Sequence, residues 1–335
     1  MTPTVSVLLP VRDGAKHLNE AAASLDAQTF QDFEVLAVDD GSTDATPELL
    51  ATWAAREARV RVVHQEALGI VPALERARGM ARGPYLARMD ADDVCRPKRL
   101  AEQLALMEAD PAVYACGCGI EYFPAEQVRD GALRYERWLN ASVTSDEIAK
   151  QLFVECPLAH PTFFMRAEAV EAIGGYRDQG WPEDYDLLLR LWAAGGRLAQ
   201  VPTKLLRWRE SPERLSRTHP RYAADAFLAC KVHYLKRTLL EGRLGAVVWG
   251  AGPVGKAAAR ALVDAGVRVL AFVDVDPRKI GQDVYGATVL EAQEGAALSG
   301  ALHLAAVGQP GARDQIRDRL RDAGLTELED FVAIA

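Results

Sequence analysis

Four apolar runs, VSVLLPV, FEVLAVDD, VRVVHQ and YLARMDAD, follow one another through the first hundred residues, with a helical pattern between each and the next. Runs this short and this rich in Val and Leu read as strands buried on both faces. The helical stretches run from about His17 to Gln28, onward from Asp44, and across Gly69 to Arg82. Such alternation predicts a parallel sheet covered by helices, so the expected class is α/β. Ligands of these sheets bind beyond the carboxyl ends of the strands. Two acidic clusters, Asp39–Asp40 and Asp90–Asp93, fall at such ends.

The middle of the chain is less regular. VYACGCGIEYF and PTFFMR read as strands, SDEIAKQLFV as a helix with Ser145 as its candidate N-cap, and EDYDLLLRLWAAGG as a helix stopped by Gly195–Gly196. RWRESPERLSR reads as a basic loop before a helix from about Arg221 to Leu240. The strand–helix rhythm then restarts, which with a length of 335 residues suggests two domains, 1–241 and 242–335, joined near Glu241–Gly245.

A formal net charge of −8 argues against a general nucleic-acid binder, whose affinity rests on basic patches. It leaves room for a phosphate-bearing small molecule, because a divalent cation can supply the positive charge. Five cysteines without framework spacing read as free thiols of a reducing compartment rather than a disulfide scaffold. No stretch approaches the ~20 apolar residues of a membrane span, and the start lacks signal-peptide character. The expectation is a cytoplasmic protein with no integral membrane segment, at most peripheral to the inner face of a membrane.

Asp90, Asp92 and Asp93 in MDADD sit where a strand ends. Carboxylates two apart on a loop can reach one cation, and hard oxygen ligands suit magnesium or manganese. The plainer reading is a solvated turn, with Asp93 capping a helix. Asp39 and Asp40 in VDDGSTD end the second strand, where a carboxylate accepts from a ribose or base, or where turn and cap chemistry suffices. Glu183 and Asp184 open an apolar helix. They serve either its dipole or, as a general base, an acceptor hydroxyl. Trp181 just before them stacks on a sugar or fills core.

The ordered segments LLPVRD, VDDGSTD, ARMDADD, GGYRDQGWPEDYDLLLR and RWRESPERLSR closely resemble family 2 glycosyltransferases of the GT-A fold, over about residues 4 to 220. The resemblance implies an inverting, metal-dependent transferase that uses a nucleotide-diphospho-sugar, a UDP-sugar first, with a glycan or lipid-linked glycan as acceptor. It implies that Pro10 and Arg12 flank the base, that Asp40 beside Asp39 holds uracil or ribose, and that Asp92 binds Mn2+ or Mg2+ directly. Asp90 would act through water or ribose. Asp184 would be the catalytic base and Arg209 or Arg207 would approach the diphosphate. Gly174 and Gly175 would line the sugar end and His160 the acceptor side, where a hydrogen-bonded core histidine is an equal reading. Two departures stand out. RWRES replaces the His that many relatives carry after the catalytic helix. Lys204 replaces the Gln of the QxxRW motif found in processive synthases.

VVWGAGPVG then sets Gly250, Gly252 and Gly255 in GxGxxG spacing between a strand and a helix, with Asp274 at the next strand end. This segment resembles dinucleotide-binding Rossmann domains and the small N-terminal domains of sugar O-acyltransferases. The implied ligand is NAD or another nucleotide; the alternative is a domain for packing or oligomerisation. For the chain as a whole the competing reading is a nucleotide-sugar sensor with a non-catalytic transferase site.

Overall fold

A computed structural model describes residues 2–335. The first eight strands are β1 (Val5–Val11), β2 (Phe33–Asp40), β3 (Val60–Gln65), β4 (Tyr85–Arg88), β5 (Val94–Cys95), β6 (Val113–Phe123), β7 (Phe164–Arg166) and β8 (Arg197–Arg209). They form one mixed sheet in the order β3-β2-β1-β4-β7-β6-β8-β5. β1 to β4 run parallel, as the alternation predicts, while β7 is antiparallel to both β4 and β6. The core on this sheet includes Val7, Leu9, Val35, Ala37, Trp53, Leu104 and Phe164.

The amino ends of β1 and β2 hold a buried polar knot. The Ser6 hydroxyl donates to Glu34 at 2.8 Å, and Glu34 accepts from Arg61 at 3.0 Å and from Arg82. With every partner supplied, these groups fix the amino end of the sheet and leave the carboxyl end to carry function.

Three local readings change. PTFFMR begins as a 3-10 turn, His160–Thr162, and only Phe164–Arg166 is strand, because Pro161 has no N–H for a ladder. The helix Ser145–Gln151 is capped from Thr144, whose hydroxyl accepts the Glu147 N–H while the Glu147 carboxylate accepts the Thr144 N–H. RWR is the end of β8 rather than loop. Arg207 and Arg209 lie opposite Glu121 and Phe123 on β6, and both guanidinium groups sit over the Phe123 ring, at 4.1 and 4.3 Å. Aromatic cover lets a cationic segment pair as a strand.

The remaining strands are β9 (Ala246–Trp249), β10 (Val269–Val273), β11 (Asp283–Val284), β12 (Ala287–Leu290), β13 (Leu302–Ala305) and β14 (Phe331–Ala333). Their sheet order is β11-β12-β10-β9-β13-β14, parallel except for β11. Val247, Trp249, Val273, Leu320 and Phe331 form its core.

The chain divides into two compact units. Among the described residues, one comprises 2–148, 157–179 and 183–218, and the other 149–156, 180–182 and 219–335. Within the second, Lys231 on the helix Ala224–Arg237 donates to the carbonyls of Val154 at 2.6 Å and Ile334 at 3.1 Å. No described helix is long and apolar enough to cross a membrane.

Candidate active site

The carboxyl ends of β1, β2 and β4 lie side by side, and the loops leaving them are tied together. Asp13 has φ of +48° and accepts from the Thr43 N–H at 2.7 Å, while its own N–H meets the Ser42 hydroxyl at 2.9 Å. Gly14 and Ala15 donate to Thr46 and Asp44. Gly41 makes the turn at φ +69°, where a Cβ would stand 2.7 Å from the Ala67 nitrogen. Only glycine fits both constraints.

Asp40 and Asp39 are buried but well supplied. Asp40 accepts from Gln65 at 2.7 Å, Leu68 N–H at 2.9 Å and Gly69 N–H at 2.8 Å, with Arg12 3.9 Å away. It therefore shapes the loop that opens the helix Ile70–Met80. Asp39 accepts from Ser42 N–H and pairs with His64 at 2.9 Å. Burial works against its charge, but the bonds from Ser42 and His64 outweigh it and hold the carboxyl below its ordinary value. Pro10 is half-buried at the end of β1, and Arg12 is exposed beside it.

Past β4, ligand oxygens of Asp90, Asp92 and Asp93 all lie within 4.8 Å of one another. Burial, and then the Asp90 charge, push Asp92 up to about 6. Asp93 is driven well above its ordinary value by burial, then by Asp92. Asp93 does not cap a helix. Its Oδ1 accepts the Arg209 N–H at 2.7 Å, and its Oδ2 has no hydrogen-bond partner among the described residues. Three crowded hard-oxygen donors, one of them orphaned, fit a divalent cation.

Arg209 Nε donates to the Asp92 carbonyl at 2.6 Å, and its Nη2 pairs with Glu20. Arg214 is a functional candidate that the sequence reading passed over. It stacks over Trp208 at 4.1 Å, which itself stacks on Tyr122 at 5.1 Å. Its charge acts on Asp92 and Asp93. The signal was available, since the residue lies in the same basic run as Arg209.

The third group gathers at the start of the helix Glu183–Ala193. Burial, then the neighbouring Glu183, push Asp184 up to about 7, against a bond from the Tyr185 N–H at 2.8 Å. Glu183 is fully buried, with His160 Nδ1 at 3.7 Å. His160 Nε2 meets the Tyr176 hydroxyl at 3.1 Å, and burial followed by Arg88 keeps its pKa well below the usual imidazole value. It is a neutral, hydrogen-bonded histidine. Gly175 turns the chain at φ +66° against Glu75 and Arg78. Trp181 lies in the second unit, its ring 4.9 Å from that of His233.

The model of the family described as Glycosyl transferase family 2 matches residues 6–174. The chain belongs to this family. The family 2 chain is 26% identical over 215 residues to the amylovoran biosynthesis glycosyltransferase AmsE of Erwinia amylovora, covering 64% of this chain and 78% of the relative. Two solved structures share the fold. S. aureus TarS 1–349 in complex with UDP-GlcNAc aligns with a TM-score of 0.56 at 15% identity, over 77% of this chain and 71% of its own. The mannosyltransferase PcManGT of Pyrobaculum calidifontis, in complex with GDP-Man and Mn2+, aligns with a TM-score of 0.53 at 19% identity, over 97% and 86%. The family 2 chain thus has the GT-A fold, and the motif residues of its first unit fall into three adjoining groups.

After β9, Gly250 and Gly252 lead into the helix Pro253–Asp264, and Gly255 lies in its first turn. A Cβ on Gly255 would stand 1.7 Å from the Gly250 carbonyl oxygen, whereas one on Gly252 would meet no atom within 4 Å. Gly255 serves packing and Gly252 stands open. Asp274 accepts from Ala251 N–H at 2.9 Å and Lys279 at 2.8 Å, contacts that outweigh burial and hold its pKa down.

Proposed function

We propose that the chain is an inverting glycosyltransferase that moves a hexosyl or N-acetylhexosaminyl group from a nucleotide-diphospho-sugar to a hydroxyl of a glycan or lipid-linked glycan. The observation that carries the reading is the pairing of a three-carboxylate cluster with a separate, half-buried carboxylate, Asp184, whose pKa is pushed up to about 7. Such a group is suited to take a proton at neutral pH. The complexes of TarS with UDP-GlcNAc and of PcManGT with GDP-Man and Mn2+ support a nucleotide-sugar donor. The likeness to an amylovoran biosynthesis enzyme supports a polysaccharide acceptor.

In this reading Asp39 and Asp40 preorganise the β2 loop against the nucleoside, with Pro10 and Arg12 flanking the base. Asp92 and Asp90 would hold Mn2+ or Mg2+. A bound divalent cation offsets the charge that develops on a departing diphosphate. Asp184 accepts the proton of the attacking hydroxyl as that oxygen approaches the anomeric carbon from the face opposite the leaving group. Inversion follows from the single displacement. Arg214 adds positive charge beside the cluster in place of the missing His.

The test is a screen of nucleotide sugars by thermal shift, with and without Mn2+, followed by nucleotide release on the best donor. Turnover should stop in EDTA and return with Mn2+ or Mg2+. Turnover that persists in chelator, or in Asp92→Asn, would overturn the metal assignment. Binding with no turnover for any acceptor would favour a sensor role. For the second sheet, residues 242–335 are proposed as a Rossmann-like domain that takes NAD or another nucleotide, on the strength of the open Gly252 at a helix N-terminus. Calorimetry on the full chain with Gly252→Val as control tests that ligand.

A further inference from the structure

Arg88 ends β4, and its side chain is only 2% exposed. Its backbone is held on both sides. Its N–H donates to the Phe163 carbonyl at 2.8 Å, and its carbonyl accepts from Arg99 at 2.6 Å. Arg99 is itself buried and braced by Gln103 and Cys95. The guanidinium places Nη1 2.5 Å from Asp90 Oδ1 as an ion pair, yet neither Nη1 nor Nε makes a hydrogen bond among the described residues. A buried cation with an unmade bond is poor design for stability, because a packed apolar side chain would avoid the desolvation penalty. Its use lies in the groups around it. Arg88 acts on Asp184 and Tyr176 as well as on Asp90.

We propose that Arg88 is a positioning residue that ties the donor-side carboxylate Asp90 and the base Asp184, both half-buried, into one charge network around a buried guanidinium. Resting on the transferase reading above, the inference assigns to a single guanidinium the job of orienting Asp90 and keeping Asp184 ready to accept a proton. With one Asp90 oxygen drawn to the Arg88 charge, the other is left for the donor side. Asp184 is faced by Glu183 on its own helix, by Arg88 from β4, and by Tyr176 from the loop after the helix Ala167–Ala172, while His160 faces Glu183. Arg88 is the cation of that set. Arg190 on the same helix is occupied by Asp186 at 2.6 Å.

The experiment compares the full-length wild type with Arg88→Met, Arg88→Gln and Arg88→Lys, using thermal melting, calorimetry with Mn2+ and UDP, and the pH profile of transfer. Removing an adjacent positive charge raises a carboxyl pKa by about one unit or more. The acid limb should therefore move up by about one unit in the neutral variants. At pH 7 that shift alone lowers kcat by about fivefold, with KM for the donor changed less. Arg88→Lys should fall between. A folded neutral variant with wild-type limb and rate would overturn the proposal. So would failure of both neutral variants to fold, which would make Arg88 structural. A wild type that turns over no nucleotide sugar would sink the transferase reading instead. Calorimetry would still decide the Asp90 half, since Mn2+–UDP affinity unchanged in Arg88→Met would remove Arg88 from that site.

Discussion

Arg209 Nε lies 2.6 Å from the carbonyl oxygen of Asp92. The arginine expected to approach a diphosphate is thus spent on the backbone of the loop that would carry the cation. Its main-chain N–H fixes Asp93 as well. Arg209→Ala keeps that N–H but removes the bond to the Asp92 carbonyl, so it should loosen the Asp92 loop and weaken Mn2+ binding by about tenfold or more, the usual scale for losing an outer support of a metal site. Calorimetry with Mn2+ and UDP measures it. Intact metal affinity with lost donor affinity would return Arg209 to direct phosphate contact.

Asp184→Asn should keep the fold and donor binding while transfer falls by about two orders of magnitude, as expected for loss of a general base. Donor affinity by calorimetry and single-turnover transfer separate the two effects. Near-normal transfer would move the base, with buried Glu183 the first candidate.

The same carboxyl sets a pH dependence. With its pKa raised from an ordinary 3.8 to about 7, Asp184 is protonated and inactive as a base below that pH. Transfer should therefore rise with pH up to about 7 and then level. The stability sign is opposite. The folded state binds the extra proton between these two values, so folding loses stability as pH rises through the window. Asp184→Asn should accordingly melt higher than wild type near pH 8. A lower melting temperature would contradict the assignment of a strained, ionised carboxylate.

Gly255→Ala should destabilise the second sheet by about 1–3 kcal/mol, the scale of overpacking, because the added methyl meets the Gly250 carbonyl. Gly252→Ala should leave stability unchanged, since its site is open and its φ of −90° suits any residue. Chemical denaturation of the two variants compares them. Equal losses would mean that the glycine turn is tighter than described.

The parallel strands, the MDADD turn and the Glu183–Asp184 helix start were legible because each rests on a local pattern. Buried strands are continuously apolar, and strand-end carboxylates stand out against them. Arg88 was not legible. It reads as one more cation in an apolar run, and only the approach of the turn at His160 and the helix at Glu183, from distant parts of the chain, encloses it. The end of β8 was misread for a related reason. Arginines suggest solvent until an aromatic partner such as Phe123 is placed beneath them. Thr144 was passed over as a cap because Ser145 offers the same chemistry one residue on.

All five cysteines are buried, and burial raises the thiol pKa of Cys95, Cys116 and Cys118. The native chain is therefore nearly silent toward thiol-reactive dyes, which attack the exposed thiolate. A single cysteine at Leu68, which is 59% exposed and whose N–H is held by Asp40, would be the one position that takes a label. A fluorophore there would report in real time on the loop after β3 that Asp40 holds, with no need to rebuild the protein as a cysteine-free background.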